Sequence, residues 1–329
     1  MSSQKPPISE LPRETHYDFW RTGLKAHLYF ALRRCLTQSQ RNTVKRALVT
    51  SRRRFSRAYL FAYGGFTTQD LLDELRSRVP EHFDILMVHS SYDALLPMYQ
   101  GNPQELVQGL LQLCGKDRTL AMPAFVLGGK LYDKKGYFRS RPFDCRRTPS
   151  EMGLLTEVFR RTQGVLRSLH PTHSVCGMGP LAHTLTATHH LSETRTGCGT
   201  PFDIMAQKRT VILGLGVEYY RCLAQTHSAE DILGDAFPVK FERSPIQTTL
   251  IDADGNKLRY ELIIPRNSLQ LDNTGLRELL PSDALRQWSF HGAPMFATDA
   301  RAITDCLIEA AKRGITLYRS DSANVRVGA

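Results

Sequence analysis

The sequence predicts an α/β fold, a sheet with helices packed against it, preceded by a basic helical arm. Two observations carry the first part. Residues 84–90 (Asp-Ile-Leu-Met-Val-His-Ser) and 119–125 are apolar runs of strand length. Between them Asn102-Pro103 opens a helix with a cap and a first-position proline, and Gly115 closes it. Strand, helix, strand at this spacing is a βαβ unit. The third observation is charge. Residues 1–82 hold 15 Lys/Arg against 7 Asp/Glu, whereas residues 83–329 hold 28 against 25. Within residues 21–57 there are 11 basic residues and no acidic one, so the net charge of +11 belongs mainly to the arm. The expected division is an arm over 1–65 and a main domain over 66–329.

Composition narrows the class. Apolar content of 41% and charged content of 23% are ordinary for a soluble globular protein. No apolar run approaches the roughly 18 residues of a membrane span. The opening Met-Ser-Ser-Gln-Lys-Pro-Pro lacks the apolar core of a signal peptide, so a cytoplasmic location is expected. Seven cysteines without paired spacing fit free thiols in a reducing compartment. No Cys-x-x-Cys or His-x-x-x-His spacing suggests a metal, and none is expected.

Residues 1–15 are proline-rich and polar, without periodicity, and read as disordered. From Arg21 a helical stripe follows: Leu24, Leu28, Ala31, Leu32, Cys35 and Leu36. Val44, Ala47, Leu48, Phe55, Ala58 and Tyr59 mark a second helix. Arg33, Arg34, Lys45, Arg46, Arg52, Arg53 and Arg54 occupy much of the remaining surface. A basic amphipathic helix can lie on an anionic membrane or on nucleic acid. The alternative is a solvated helical pair that packs on the main domain through its stripe. No nucleic-acid motif accompanies the charge, which argues against RNA or DNA. The expectation is a packed arm with some affinity for an anionic surface, which would place the protein peripherally at the inner membrane face.

Gly64-Gly65 separates the arm from the domain. Thr67-x-x-Asp70 is a capping box opening a helix with Leu71, Leu72 and Leu75 on its apolar face. Residues 130–147 form a long polar loop with Arg139, Arg141, Arg146 and Arg147, ending after Phe143-Asp144. Thr148-Pro149-Ser150-Glu151 and Thr200-Pro201-Phe202-Asp203 each combine a cap, a first-turn proline and an acidic residue, and predict two helix starts. Such N-termini can offer oriented N–H groups to an anion or carbonyl; the plainer reading is that both are good caps. Val175–Met178 is a short buried strand, and residues 210–216 another, ending in Gly-x-Gly. Residues 247–252 and 257–265 pair as a hairpin across Asp254-Gly255. Residues 298–313 form a helix ending at Gly314, and residues 315–318 a last strand.

His170 and His173 stand between these elements. Pro171 removes a backbone donor and biases His170 toward an extended backbone at a loop–strand junction. An imidazole there suits general-base work, since its ordinary pKa lies near neutrality. Structural use of one histidine and solvation of the other is the competing reading of these two residues alone.

Taken in order, His89-Ser90-Ser91, Phe143-Asp144, Arg167-Ser168-x-His170-Pro171-Thr172-His173-Ser174, Gly199-Thr200-Pro201-Phe202, Leu213-Gly214-x-Gly216 and His227-x-Ala229-Glu230 resemble the aminoglycoside 3-N-acetyltransferase family. The resemblance runs from about Thr67 to the C-terminus. Its most specific piece is Arg-Ser-x-His-Pro-x-x-Ser; the Gly-x-Gly strand end is generic. The first 60 residues have no counterpart. Asp144-Cys145 stands where Asp-Pro is typical, and Thr200 where a serine is usual.

The resemblance implies a three-layer α/β/α sandwich of that family's type. It implies an acyltransferase in which acetyl-CoA and an amine meet in one cleft and react directly, without a metal or an acyl-enzyme. An alkylammonium must lose a proton before it attacks a thioester, which needs a nearby imidazole. In the family pattern the histidine before proline recurs, whereas the place of His173 accepts other residues. His170 is therefore the expected base, with His173 supporting or structural. Asp144 and Glu230 are the expected carboxylates, for orienting the base or, with His227, holding the substrate amine. His89, Ser90, Ser91, Thr148, Thr200 and Phe202 are the expected contacts of CoA. The expected acceptor is an aminoglycoside or another amino-sugar. Aminoglycosides are polycations and favour acidic clefts. The near-neutral body and the arginines of the long loop therefore keep open an amino-sugar of a surface polysaccharide or lipid-linked precursor. A non-catalytic binding module with a basic arm is the remaining alternative.

Overall fold

The computed structural model describes residues 36–128, 134–266 and 269–319. The disorder expected over 1–15 and the stripe from Leu24 to Cys35 lie outside the described residues. Twelve strands occur among the described residues. They are β1 (Ile85–Ser90), β2 (Thr119–Pro123), β3 (Phe143–Asp144), β4 (Leu166–Arg167), β5 (Val175–Met178) and β6 (Thr210–Leu215). There follow β7 (Glu242–Ile251), β8 (Lys257–Arg266), β9 (Gln270–Leu271), β10 (Leu285–Phe290), β11 (Ala293–Asp299) and β12 (Tyr318–Arg319).

Seven of them form the main sheet in the order β10-β11-β6-β1-β2-β5-β4. The central strands β6, β1 and β2 are parallel, as the βαβ reading requires, and the outer strands are antiparallel. Because successive side chains on a strand point to opposite faces, β1 feeds two cores at once. Leu86 and Val88 join Leu120, Met122 and Leu213 beneath the helices Thr68–Arg78, Pro103–Cys114 and Leu154–Arg160. Ile85 and Met87 join Ala121, Ile212 and Phe296 beneath the helices Pro201–Gln207 and Ala300–Lys312. Helix, sheet and helix make the three layers. Gly214 is required where β6 meets β11: a Cβ there would lie 2.0 Å from the ring of Phe296.

The capping reading at Thr67 and Asn102 holds, each with reciprocal bonds to the third helical residue. The expectation at Thr148 does not. Its hydroxyl accepts from the Asp144 N–H at 2.9 Å and so closes a turn. The helix begins only at Leu154, after Gly153 at φ 109°. The long loop is also more ordered than expected, since Lys134–Ser140 within it is helical. That helix packs Phe138 on a second sheet, β3-β7-β8, with Phe143, Ile246, Leu250 and Leu262. The last helix starts at Ala300, where the Asp299 carboxylate accepts from the Ala302 N–H at 2.8 Å. Residues before it belong to the hairpin β10–β11. Its turn, His291-Gly292, has both residues at positive φ (47° and 73°), the two-residue form that matches sheet twist. The final strand pairs with β9, outside the main sheet.

Among the described residues the arm holds two helices, Gln38–Arg54 and Ser56–Tyr63. The apolar stripe expected to pack does so only in part: Tyr59 is half-buried, whereas Val44 is 41% and Phe55 55% accessible. Polar contacts help to fasten the arm. Tyr59 lies against the first core, Arg52 donates to the Ala94 carbonyl at 2.9 Å, and His291 Nδ1 donates to the Tyr63 carbonyl at 2.7 Å.

Candidate active site

Beyond the ends of β2 and β5 four imidazoles stand in a row. His189 stacks on His170, with centroids 4.5 Å apart. His173 is 6.0 Å from His170 and 6.3 Å from His227. The segment Arg167–Ser174 builds this row, and its residue types follow from its bonds. Arg167 is half-buried and bonds to carbonyls in place of a carboxylate. It spreads its guanidinium over the carbonyls of Ala124 (2.7 Å), Thr148 (2.5 Å) and Cys145 (3.4 Å) and over the Ser174 hydroxyl (3.0 Å). Only a planar five-donor fork can serve that many acceptors. Burial lowers its pKa to about 10. Ser168 accepts from the Val175 N–H and lies 2.9 Å from His189 Nδ1. His189 Nε2 is 3.0 Å from the Arg195 carbonyl, which can only accept, so its proton sits on Nε2.

His170 is buried at 2% accessibility. Its Nδ1 accepts from the backbone N–H of Thr172 (3.2 Å) and of His173 (3.0 Å). With that lone pair engaged, neutral His170 carries its proton on Nε2 and is a hydrogen-bond donor. Burial first, then the nearby charges of His189 and Arg195, hold its pKa well below the ordinary value. His173 is depressed for the same first reason, with Arg195 next.

His227 differs. It precedes the helix Ser228–Leu233, and Glu230 lies one turn on, at the spacing that puts two side chains on one face. His227 Nδ1 is 2.9 Å from Glu230 Oε1. Arg195 Nη2 and the Tyr318 hydroxyl also donate to Glu230, one to each oxygen. Burial pushes the Glu230 carboxyl up, but His227 and Arg195 outweigh it and leave the pKa at about 2. Arg195 Nη2, which can only donate, also lies 3.2 Å from His227 Nδ1, but the Glu230 carboxylate is nearer at 2.9 Å and can only accept, which favours the proton on Nδ1 and a lone pair on Nε2. The His227 side chain is 23% accessible.

The other expected residues divide. Asp144 is not brought to the histidines by any bond; its Oδ1 accepts from the N–H groups of Arg146 and Arg147 (2.9 and 2.8 Å) and shapes their turn. Thr200 is fully buried, donating to the Gly197 carbonyl at 2.6 Å and capping its helix. Phe202 is buried at 1% beside Phe125 and His189, a packing position behind the row and not a surface for CoA. Ser90 and Ser91 lie at the C-terminal end of β1, where ligands of parallel sheets sit. His89 there is buried, which lowers its pKa to about 4. Sequence reasoning missed His189, Arg195 and Tyr318. The pair His189-His190 was a visible signal for the first; nothing local marked the other two.

Comparison with known proteins identifies the family and the fold. Residues 87–312 match the model of the family described as aminoglycoside 3-N-acetyltransferase. An aminoglycoside N(3)-acetyltransferase III of Serratia marcescens is 30% identical over 189 residues, 54% of this chain and 68% of that protein. One from Acinetobacter baumannii is 28% identical over 178 residues, 50% of this chain and 62% of that protein. A solved structure of AAC-IIIb in binary complex with CoASH superposes with a TM-score of 0.64 at 23% identity, covering 79% of this chain and 99% of that one. At that identity the likeness shows the fold. The family match spans most of the main domain and includes every histidine of the row, and on it the chain belongs to the aminoglycoside 3-N-acetyltransferase family.

Proposed function

We propose that this chain is an acetyl-CoA-dependent N-acetyltransferase acting on the amine of an aminoglycoside or related amino-sugar by direct transfer in a ternary complex. The observation that carries the mechanism is the 2.9 Å bond from His227 Nδ1 to Glu230. It leaves Nε2 free to take a proton from the acceptor's ammonium, and the anion stabilises the imidazolium that forms. The amine nitrogen then attacks the acetyl carbonyl carbon, the C–S bond breaks, and the proton passes to the CoA sulfur. We therefore assign the base to His227 in preference to His170, the residue that the family resemblance implied. His170, a donor through Nε2, suits a hydrogen bond to the oxygen that gains charge during attack. His173 stays a supporting residue between them.

Ser90 and Ser91 at the end of β1 are the proposed CoA contacts, and a relative's complex with CoASH supports the same co-substrate. We place the reaction in the cytoplasm. The domain division at Gly64-Gly65 belongs to the same proposal, with acetyl transfer resident in 66–329. A second acceptor reading, an amino-sugar carried on an anionic or lipid-linked scaffold, is favoured by one feature. Glu230 and Asp231 are both engaged by Arg195, while Arg139, Arg141, Arg146 and Arg147 are exposed. Neither of these two carboxylates is left free for a polycation.

Acetyl-CoA and a panel of aminoglycosides, neutral amino-sugars and sugar-phosphate amines, followed by release of free thiol, tests the proposal. Thiol release with at least one amine is expected, together with a rise in thermal midpoint with CoA concentration. No release and no shift at millimolar CoA would sink it.

A further inference from the structure

The arm presents a face that the main domain leaves uncovered. Along the helix Ser56–Tyr63 the side chains divide by turn. Ser56, Tyr59 and Leu60 are half-buried toward the domain, whereas Arg57, Ala58, Phe61 and Ala62 are exposed. Phe61 is 95% accessible, as open as a phenyl ring can be on a folded chain, and Phe55 at the break between the helices is 55% accessible. Arg57 and Phe61 are one turn apart on the same side, so a cation and an aromatic ring point outward together. Arg53 and Arg54 are exposed beside Phe55. Residues 38–63 contain seven arginines and lysines and no acidic residue.

The opposite side is anchored. Arg52 reaches the Ala94 carbonyl, and its guanidinium lies 5.9 Å from the Tyr59 ring centroid. His291 holds the Tyr63 carbonyl, and the Tyr63 ring is so close to Gly292 that a Cβ there would lie 2.6 Å from it. The outward face is therefore held in a fixed orientation on the domain.

We infer that this face docks on an anionic lipid surface. Exposed rings interleaved with arginines fit an interface where acyl chains take the rings and headgroup phosphates take the cations. Charge complementarity selects the partner: a face with no carboxylate is repelled by no part of an anionic bilayer. A nucleic-acid backbone would use the cations but leave Phe61 and the alanines beside it without an apolar layer. The inference is independent of the acetyl-transfer mechanism, since none of these residues touches the histidine row.

Flotation of the full-length protein with vesicles decides it. Vesicles of phosphatidylcholine and phosphatidylglycerol in equal parts should carry the protein at low salt, and vesicles of phosphatidylcholine alone should not. High salt should release it, because screening shortens the reach of the arginines. Phe61→Ser and the pair Arg54→Gln/Arg57→Gln should each weaken binding about tenfold or more. Both should retain the thermal midpoint and the CoA-induced shift of the unaltered protein, which shows that folding is intact. Absence of flotation with anionic vesicles, equal flotation with neutral ones, or binding that survives Phe61→Ser would overturn the inference. So would either alternative occupant. A second copy would appear as a dimer that Phe61→Ser dissociates. The chain's own first 37 residues would appear as flotation that begins only once they are removed. Retention of the full chain by RNA, with no vesicle binding, would reassign the face to nucleic acid.

Discussion

Glu230→Gln removes one charge from the site and almost no volume. In the folded protein this carboxylate is 2% accessible and takes hydrogen bonds from His227, Arg195 and Tyr318. The amide oxygen can still accept, and the Tyr318 hydroxyl can turn to accept from the new N–H, so the fold has a route to accommodate it. The amide oxygen still accepts from the His227 Nδ1–H, but the imidazolium formed when Nε2 takes a proton loses its anionic partner. We expect kcat/KM to fall by ~10²–10⁴, equivalent to about 3–5 kcal/mol of barrier. The KM for acetyl-CoA should change little. Stability should fall as well, by about 3 kcal/mol, the low end for breaking a buried ion pair. Asp231, 3.7 Å from Arg195 Nε, still compensates part of that charge. The assay is thiol release under saturating acetyl-CoA, run beside the CoA-induced thermal shift to confirm folding. His227→Ala should lose as much as Glu230→Gln, and the double variant little more, because the two act as a unit. An activity of Glu230→Gln within about threefold of the parent would refute the dyad, as would a larger loss in His170→Ala than in His227→Ala.

Two further outcomes follow from buried groups. Arg167→Lys replaces a planar fork with a single point charge that cannot serve the carbonyls of Ala124, Thr148 and Cys145 together, and of these only Ala124 keeps another side-chain donor, the Ser174 hydroxyl. A loss of about 2–4 kcal/mol in urea unfolding is expected, and an unchanged midpoint would show that the fork is dispensable. The second concerns acid. Burial lowers His89 to about 4 and His189 to about 3 from an ordinary 6.5. The unfolded chain binds these protons below 6.5 and the folded one does not, so the stability they carry is complete above 6.5 and lost as pH falls through 4 and 3. Between pH 7 and 5 the loss should be about 2 kcal/mol for each histidine, and a flat profile over that window would contradict their burial.

Much of this molecule is determined locally and was legible in the chain. The strands β1, β2 and β6 announce themselves because apolar residues of strand length must be buried on both faces of a parallel sheet, and the short apolar run of β5 marks its antiparallel neighbour. The caps at Thr67, Asn102 and Thr200 are set within four residues of sequence, and so is the hairpin across Asp254-Gly255. Local signals also misled where a competing bond won. Thr148 has every mark of a helix start, but its hydroxyl is spent on the Asp144 N–H four residues back.

The proposed catalytic assignment is of the other kind. Arg-Ser-x-His-Pro-x-x-Ser locates the site, yet most of its groups hold the loop in place. Whether His170 or His227 can accept a proton depends on which ring nitrogen is already engaged. Main-chain N–H groups decide that for His170. For His227 it is decided by Glu230, fixed in turn by Arg195, 35 residues away, and Tyr318, 88 residues away. The arm repeats the lesson: its periodicity named an apolar stripe, but only the packing of Tyr59, Arg52 and Tyr63 on the domain determined which side of the helix would be left to solvent. Periodicity, capping and turn chemistry act over a few residues and can be read from the chain. Tautomers, charge pairing and the choice of exposed face arise from groups that meet only when the chain has folded.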